Sequence, residues 1–409
     1  MKKGWQTKKL EDVCAFNNGL WKGEKPPFVT VGVIRNTNFT KEGTLDDSDI
    51  AYLEVEAKKF AKRRLAFGDL ILEKSGGGPK QPVGRVALFD KKEGDFSFSN
   101  FTAALRVNDP SALDFRFLHK FLFWTHLSGV TETMQSHSTG IRNLNGDAYK
   151  SIEVPVPALA EQQRIVGILD EAFEGIATAK ANAEKNLQNA RALFESHLQS
   201  VFTQRGEGWV ERPLEDVASI LNGYSFKSGD FSAKRGVKCI KITNVGVREF
   251  VCESDGELPE SFAAEYAKVS VKKGSIVLAL TRTIISGGLK VAIVPDEYDS
   301  ALLNQRVAAI VANREAVTSA FLFAYLSTQM VVDYVKDRVN TLMQPNLSIV
   351  DLRSMPIPIP PKNSQTKIIH QVDSLREETQ SLATIYDRKL AALDDLKKSL
   401  LHQAFTGEI

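Results

Sequence analysis

Val154-Pro155-Val156-Pro157-Ala158-Leu159-Ala160-Glu161-Gln162-Gln163-Arg164-Ile165 leads into a charged, alanine-rich run that reaches Gln204 without another proline. Prolines remove backbone donors and bias the preceding residue toward extended geometry, so a helix has to begin after them. Beyond that point apolar residues stand at Ile165, Leu169, Ala172, Phe173, Ile176, Ala179, Ala183, Leu187, Ala190, Phe194, Leu198 and Val201. Steps of three and four residues are the period of a coiled-coil seam. The spacing predicts one helix over 161–204, spanning roughly 66 Å at 1.5 Å per residue. The four-residue step from Ala183 to Leu187 reads as a stutter.

This stretch has a copy. Ser364 to Gln403 follows Ile357-Pro358-Ile359-Pro360 at an offset of 203 residues, with Gln162 matched by Gln365, Ile165 by Ile368, and Phe202-Thr203 by Phe405-Thr406. The second seam reads Ile368, Val372, Leu375, Leu382, Ile385, Leu390, Leu393 and Leu400. Two such stripes can bury one another if the helices pair lengthwise.

The duplication extends to the segments before the helices. Trp5, Leu10-Glu11-Asp12-Val13 and Asn18-Gly19 return 204 residues on as Trp209, Leu214-Glu215-Asp216-Val217 and Asn222-Gly223. The glycine turn and buried strand of Phe67 to Leu72 correspond to Lys273 to Leu278, Asn100 answers Asn304, and Phe117-Leu118 and Phe321-Leu322 begin matching helices. The chain therefore reads as a tandem repeat. Its predicted class is α+β: two mixed strand-and-helix domains, 1–158 and 207–361, each followed by a long helix, 159–206 and 362–409, the helices pairing antiparallel as a coiled coil about a pseudo-twofold axis. Framework positions repeat, whereas the loops between them differ.

Composition narrows the function classes. With 43% hydrophobic and 25% charged residues over 409 positions, the chain is globular and long enough for two domains. The formal net charge of +2 neither requires nor excludes a polyanion, because local patches decide. Cys14, Cys239 and Cys252 are far apart, so reduced cytoplasmic thiols are expected, with no disulfide framework, no metal and no cofactor. The start lacks an apolar stretch of signal-peptide length, and Phe121-Leu122-Phe123-Trp124 is too short to span a bilayer, so no membrane is expected. His119, His126 and His137 have neither metal nor relay spacing. No Walker A sequence occurs, and Glu24-Lys25-Pro26-Pro27-Phe28 has lysine where an adenine methyltransferase needs an amide.

Double-stranded DNA needs cations and amides for phosphates, and amides or guanidinium forks for base edges. Lys58, Lys59, Arg63 and Arg64 lie in a segment of five cations in seven residues. The loop from Lys74 and Ser75 to Lys80 joins a strand end to three glycines that let backbone approach a phosphate. Its counterpart offers Arg282, Thr283 and Lys290. Asn36 and Asn38, with Asn244 and Arg248, follow strands and stand as base readers, although asparagine there also caps turns. Arg142 and Gln344 lie in polar loops before the long helices, placed to reach a groove or to brace the domain on its helix.

The segment 154–165, the terminal Leu400-Leu401-His402-Gln403-Ala404-Phe405-Thr406-Gly407-Glu408, and the Gly-Trp and Leu-Glu-Asp-Val phrases opening each half resemble the DNA specificity subunit of type I restriction-modification enzymes over essentially the full length. That resemblance implies two target recognition domains reading halves of an asymmetric site. It also implies helices that set the gap and dock two methyltransferase subunits, restriction (translocase and endonuclease) subunits joining through the complex, and no catalysis by the chain itself. Lys362-Asn363-Ser364-Gln365-Thr366-Lys367 departs from the Leu-Ala-Glu-Gln-Gln-Arg pattern of the first helix. A coiled-coil protein-interaction scaffold is the alternative, separable by salt dependence, since phosphate neutralisation makes DNA affinity fall steeply with salt.

Overall fold

The computed structural model describes residues 5–20, 23–78, 81–138, 140–231, 236–253, 256–339 and 346–409. The prolines and seam periodicity produce two helices of equal length, Leu159–Thr203 and Lys362–Thr406, 45 residues each. Each follows an edge strand, Glu153–Val156 or Pro356–Ile359, that carries its prolines on a two-stranded ribbon. Such a strand tolerates proline because one side has no ladder to make. Its partner is the strand opening the same domain: Gln6 pairs with Val156, and Val210 with Ile359.

The chain divides into two units, 1–184 with 387–409, and 185–386. In the first unit a four-stranded antiparallel sheet runs Cys14–Asn18, Thr102–Val107, Leu70–Glu73, Val86–Leu88. In the second the order is Ala218–Asn222, Val307–Ala312, Ile276–Ala279, Val291–Ile293. The register repeats, Leu70 facing Leu105 as Ile276 faces Ile310. A smaller sheet accompanies each: Phe28–Ile34 pairs in parallel with Phe96–Phe98, and Cys239–Ile240 in parallel with Ala301–Leu303. The strand before Asn244 thus ends at Ile240, where the chain turns.

Each core joins its sheet to one domain helix, Phe115–Leu127 or Ser319–Leu326, and to the long helices. In the first unit Phe405 sits among Phe117, Phe121 and Trp124, with ring centroids 5.3–5.7 Å away. In the second Phe202 occupies the equivalent place against Phe321 and Tyr325, both at 5.2 Å. The start of the following helix is latched by a buried amide. Gln162 Oε1 accepts the Asp114 N–H (2.8 Å), and its Nε2 donates to the carbonyls of Ala112 (2.9 Å) and Pro157 (2.8 Å). Gln365 accepts from Thr318 N–H (3.0 Å) and donates to Ala316 (3.0 Å) and Pro360 (3.3 Å).

Within each unit the two long helices run antiparallel. In the first, Lys397 lies over Phe173 and Lys180 pairs with Asp394 at 2.8 Å. In the second, Arg376 lies over Phe194. The seam departs from the sequence expectation in one place: Leu382 and Ile385 are exposed, and the stripe runs instead through Thr379, Ala383 and Tyr386. The period, and not the apolarity of individual residues, selects what faces inward.

Candidate nucleic-acid interface

After the strand ending at Ile34, and after its counterpart ending at Ile240, the chain makes the same turn. Asn38 Oδ1 accepts the Arg35 N–H (2.9 Å) while its amide donates to the carbonyls of Asp46 (3.2 Å) and Asp49 (3.1 Å). Asn244 Oδ1 accepts the Lys241 N–H (2.9 Å) and donates to Val251 (2.8 Å) and Glu253 (2.7 Å). Both side chains are buried. Contrary to their expected role as base readers, Asn38 and Asn244 fix the turn, because every group that would meet a base already holds a backbone partner.

A cation immediately before the strand Val86–Leu88 or Val291–Ile293 holds each turn. Arg85, ion-paired to buried Glu73 (2.7 Å), reaches the carbonyls of Asn36 (3.2 Å) and Phe39 (3.3 Å). Its counterpart Lys290 donates to the carbonyl of Ile242, the equivalent of Asn36. Burial, with the nearby Arg282 charge, holds the Lys290 ammonium below the ordinary lysine range. Lys290 therefore belongs to the scaffold of the turn.

In the first unit the basic segment and the glycine loop meet at Asn18. Arg63 Nε donates to the Asn18 carbonyl (3.0 Å) and Lys74 Nζ to its side-chain oxygen (2.7 Å), burial lowering the Lys74 pKa. Ser75 Oγ donates to Asn143 Oδ1 (2.5 Å), tying the loop to the strand Ile141–Leu144. Lys58 is exposed on the short helix Ala57–Ala61, Lys59 lies 3.9 Å from Glu56, and Arg64 pairs with Asp95 at 2.8 Å. Arg142 shares the Gln135 side chain (3.4 Å). Lys80 and Gln344 lie outside the described residues.

In the second unit Arg248 turns to the long helix. Its guanidinium is bound by Glu195 of the long helix, with Nη2 on Oε2 at 2.7 Å and on the Ser327 carbonyl at 2.7 Å. That contact braces the domain on its helix, so the expected base reader is a structural clamp. Thr283 is buried with Oγ1 unpartnered, while Arg282 is exposed at a left-handed φ of 49°.

The structure adds residues that sequence reasoning missed. In the first unit Asn36, Arg35 and Thr37 line a concavity of about 490 Å³ with Ser99, Asn100, Phe101, Gly76 and the apolar floor of Leu20, Val33 and Leu53. Three polar atoms of its lining residues, Arg35 Nε, Asn36 Oδ1 and Ser99 Oγ, are buried without a hydrogen-bond partner. In the second unit Lys241, Ile242 and Thr243 line a concavity of about 650 Å³ with Asn304, Gln305, Arg306, Phe226 and Phe231. The two hollows are built from equivalent segments. Leu20 N–H donates to Phe98 O and Tyr224 N–H to Leu303 O (both 2.8 Å), which aligns Ser99 with Asn304 and shifts the sequence pairing of Asn100 with Asn304 by one residue. The available signal was the asparagine after each strand, Asn38 and Asn244, beside residues that differ between halves.

Among the described residues no group of three or more His, Cys, Asp or Glu is arranged to hold a metal. No described helix is long and apolar enough to cross a membrane. Cys14 and Cys239 are buried, which pushes both thiols up to about 12. What the two hollows offer is one scaffold with two sets of exposed side chains.

Comparison with known proteins gives this duplication a family. The sequence profile of the type I restriction modification DNA specificity domain matches residues 2–188 and again 206–388. The chain is 30% identical over 291 residues to the type I restriction enzyme MjaVIII specificity subunit of Methanocaldococcus jannaschii, covering 67% of this chain and 66% of that protein. It is 22% identical over 398 residues to the EcoKI specificity subunit of Escherichia coli, covering 92% and 82%. In fold it is similar to a subunit from a solved type I restriction-modification assembly (TM-score 0.79, 17% identity, 100% and 99% covered) and to the HsdS subunit from Thermoanaerobacter tengcongensis (TM-score 0.61, 17% identity, 100% and 98% covered). With two specificity domains spanning nearly its whole length, the chain belongs to the type I restriction-modification DNA specificity family.

Proposed function

We propose that the chain is the non-catalytic sequence-reading subunit of a type I restriction-modification complex, working in the cytoplasm on double-stranded DNA. Each domain reads one half of a bipartite site. The observation that carries this reading is the duplicated hollow: one buried-asparagine turn in both domains, surrounded by different side chains. A common scaffold with unlike rims fits two unlike half-sites, hence an asymmetric target. Asn36, Lys58, Lys59, Arg63, Lys74 and Ser75 remain candidates for contact in the first half, and Arg282 in the second.

The long helices supply spacing and docking. Leu396 in the first unit and Leu193 in the second occupy equivalent turns and are 47% and 54% exposed. Large apolar side chains exposed at matching positions support two like docking sites for two methyltransferase subunits, with restriction subunits joining through the complex.

Spacing is tested by deleting residues 177–183 and 380–386 together, which removes one heptad from each helix and keeps the seam in register. The helix pair shortens by about 10 Å, so the gap in the DNA target should shrink by about three base pairs at about 3.4 Å each. Both half-sites should stay the same. Altered half-sites, or an unaltered gap, would contradict the proposal. The purified chain alone should transfer no methyl group, and measured methylation would count against a purely reading role.

A further inference from the structure

The repeat carries a paired substitution at the second hollow, with Arg306 in its lining and Arg282 at the position that Gly76 holds in the first. In the first unit Lys74 N–H donates to the Phe101 carbonyl (2.9 Å), and in the second Leu280 N–H donates to the Arg306 carbonyl (2.8 Å). Glu73 pairs with Thr102 as Ala279 pairs with Val307. This register makes Arg306 the equivalent of Phe101 and Arg282 the equivalent of Gly76. The backbone agrees, since Gly76 and Arg282 both have positive φ, 110° and 49°. A left-handed φ favours glycine, and an arginine there is an uncommon choice whose side chain needs a reason.

The two positions adjoin. A Cβ built on Gly76 would lie 4.0 Å from Phe101 Cδ1 and 2.9 Å from the Asn36 amide, at the wall of the first hollow. The first domain therefore presents a phenylalanine beside a glycine over an apolar floor. At the same two places the second domain presents two arginines. Arg282 and Arg306 are both exposed, and among the described residues neither guanidinium has a hydrogen-bond or ion-pair partner. Beside them Gln305 is exposed, and Lys241 is held over the Phe231 ring at 3.7 Å.

We propose that Arg282 and Arg306 form a pair of guanidinium forks that reads guanine in the half-site of the second domain. Guanine is the base whose major-groove edge offers two adjacent acceptors, O6 and N7, matching a bidentate arginine. Lys241 and Gln305 line the same hollow as Arg306 and complete a cationic, donor-rich rim. The first domain has no guanidinium at either position, so the two halves differ in the bases they select as well as in sequence order. This assignment rests on the half-site reading proposed above.

The test uses the intact complex with its methyltransferase subunits. Methylation rates are measured on duplexes carrying every single-base change in the target, for the wild type, Arg282→Gly, Arg306→Gln and the double variant. Arg282→Gly installs the residue that the first domain uses at this backbone conformation, so its melting temperature should be unchanged or higher. Each variant should lose discrimination at a guanine of one half-site, by roughly ten- to a hundredfold, and leave the other half-site untouched. A split target whose affected half contains no guanine on either strand overturns the assignment. Uniform slowing on all sequences also overturns it, because that is the signature of a phosphate contact. Failure of the underlying reading looks different: the wild-type complex would then show no split target.

Discussion

Gln162 and Gln365 show how much one buried side chain fixes. Each satisfies one backbone donor and two carbonyls, and each ties the first turn of a long helix to the N-terminal end of the domain helix. Replacing Gln162 with alanine leaves those groups buried and unpartnered, for a predicted loss of about 2–4 kcal/mol in urea unfolding. Gln365→Ala should cost a similar amount in the second unit. A second residue-scale prediction concerns acid. Burial depresses His119 and His126 to about 4, and His119 Nε2 lies 2.8 Å from the Gly43 carbonyl. The unfolded chain takes up these protons first, near the ordinary histidine pKa of 6.5. Stability of the first unit should therefore be fully present above about pH 6.5 and fall toward pH 4, by about 1.4 kcal/mol per pH unit for each histidine. Urea midpoints measured from pH 7 to 4.5 check this, and His119→Gln with His126→Gln should flatten the dependence. At this scale the sequence was only partly legible. Asn38 and Asn244 stand out as asparagines after strands, yet only their burial shows that they hold a turn. Phe101 and Arg306 were hidden because a coincidental match of Asn100 with Asn304 shifts the repeat by one residue.

The long helices were the most legible elements, since prolines mark where they start and a three-to-four period marks their buried face. The second seam was misread at Leu382 and Ile385 because apolar residues drew attention from the period, which instead buries Thr379 and partly covers Lys397. Lys397 lies 5.0 Å from the Phe123 centroid and 4.9 Å from that of Phe173, and Arg376 lies 5.5 Å from Phe194. In both units the cation comes from the terminal helix and the ring from the central one. Pairing of two terminal helices in the same register would oppose Arg376 to Lys397, and pairing of two central helices would oppose Lys180 to Arg191. Like charges therefore disfavour both self-pairings, a device known from coiled coils. Lys397→Glu puts a carboxylate between two rings and beside Asp394. It should cost the first unit about 2 kcal/mol, read as a lower urea midpoint, whereas Lys397→Arg should be near neutral. An unchanged midpoint for the glutamate variant would show that charge plays no part in the seam.

On the scale of the whole molecule, the first unit is assembled from both ends of the chain, residues 1–184 and 387–409, whereas the second is the continuous segment 185–386. Leu401, Ala404 and Phe405 belong to the same core as Leu10, Phe117 and Leu169. Truncation after Tyr386 should therefore abolish the unfolding transition of the first unit and leave that of the second. The tandem repeat divides the chain differently in sequence, into two domains and two whole helices, because a period along the chain does not say which half of each long helix packs on which domain. Which bases the domains select was not legible, since side chains placed by irregular turns follow no period. Reading two unlike half-sites, the chain should give its complex a split, asymmetric DNA target. Its most direct test is a methylome, comparing cells that carry the chain with its methyltransferase partner against cells lacking the chain. A bipartite asymmetric motif should be present with the chain and vanish when it is removed. Persistence of the motif without the chain, or a continuous symmetric motif in its presence, would contradict that reading.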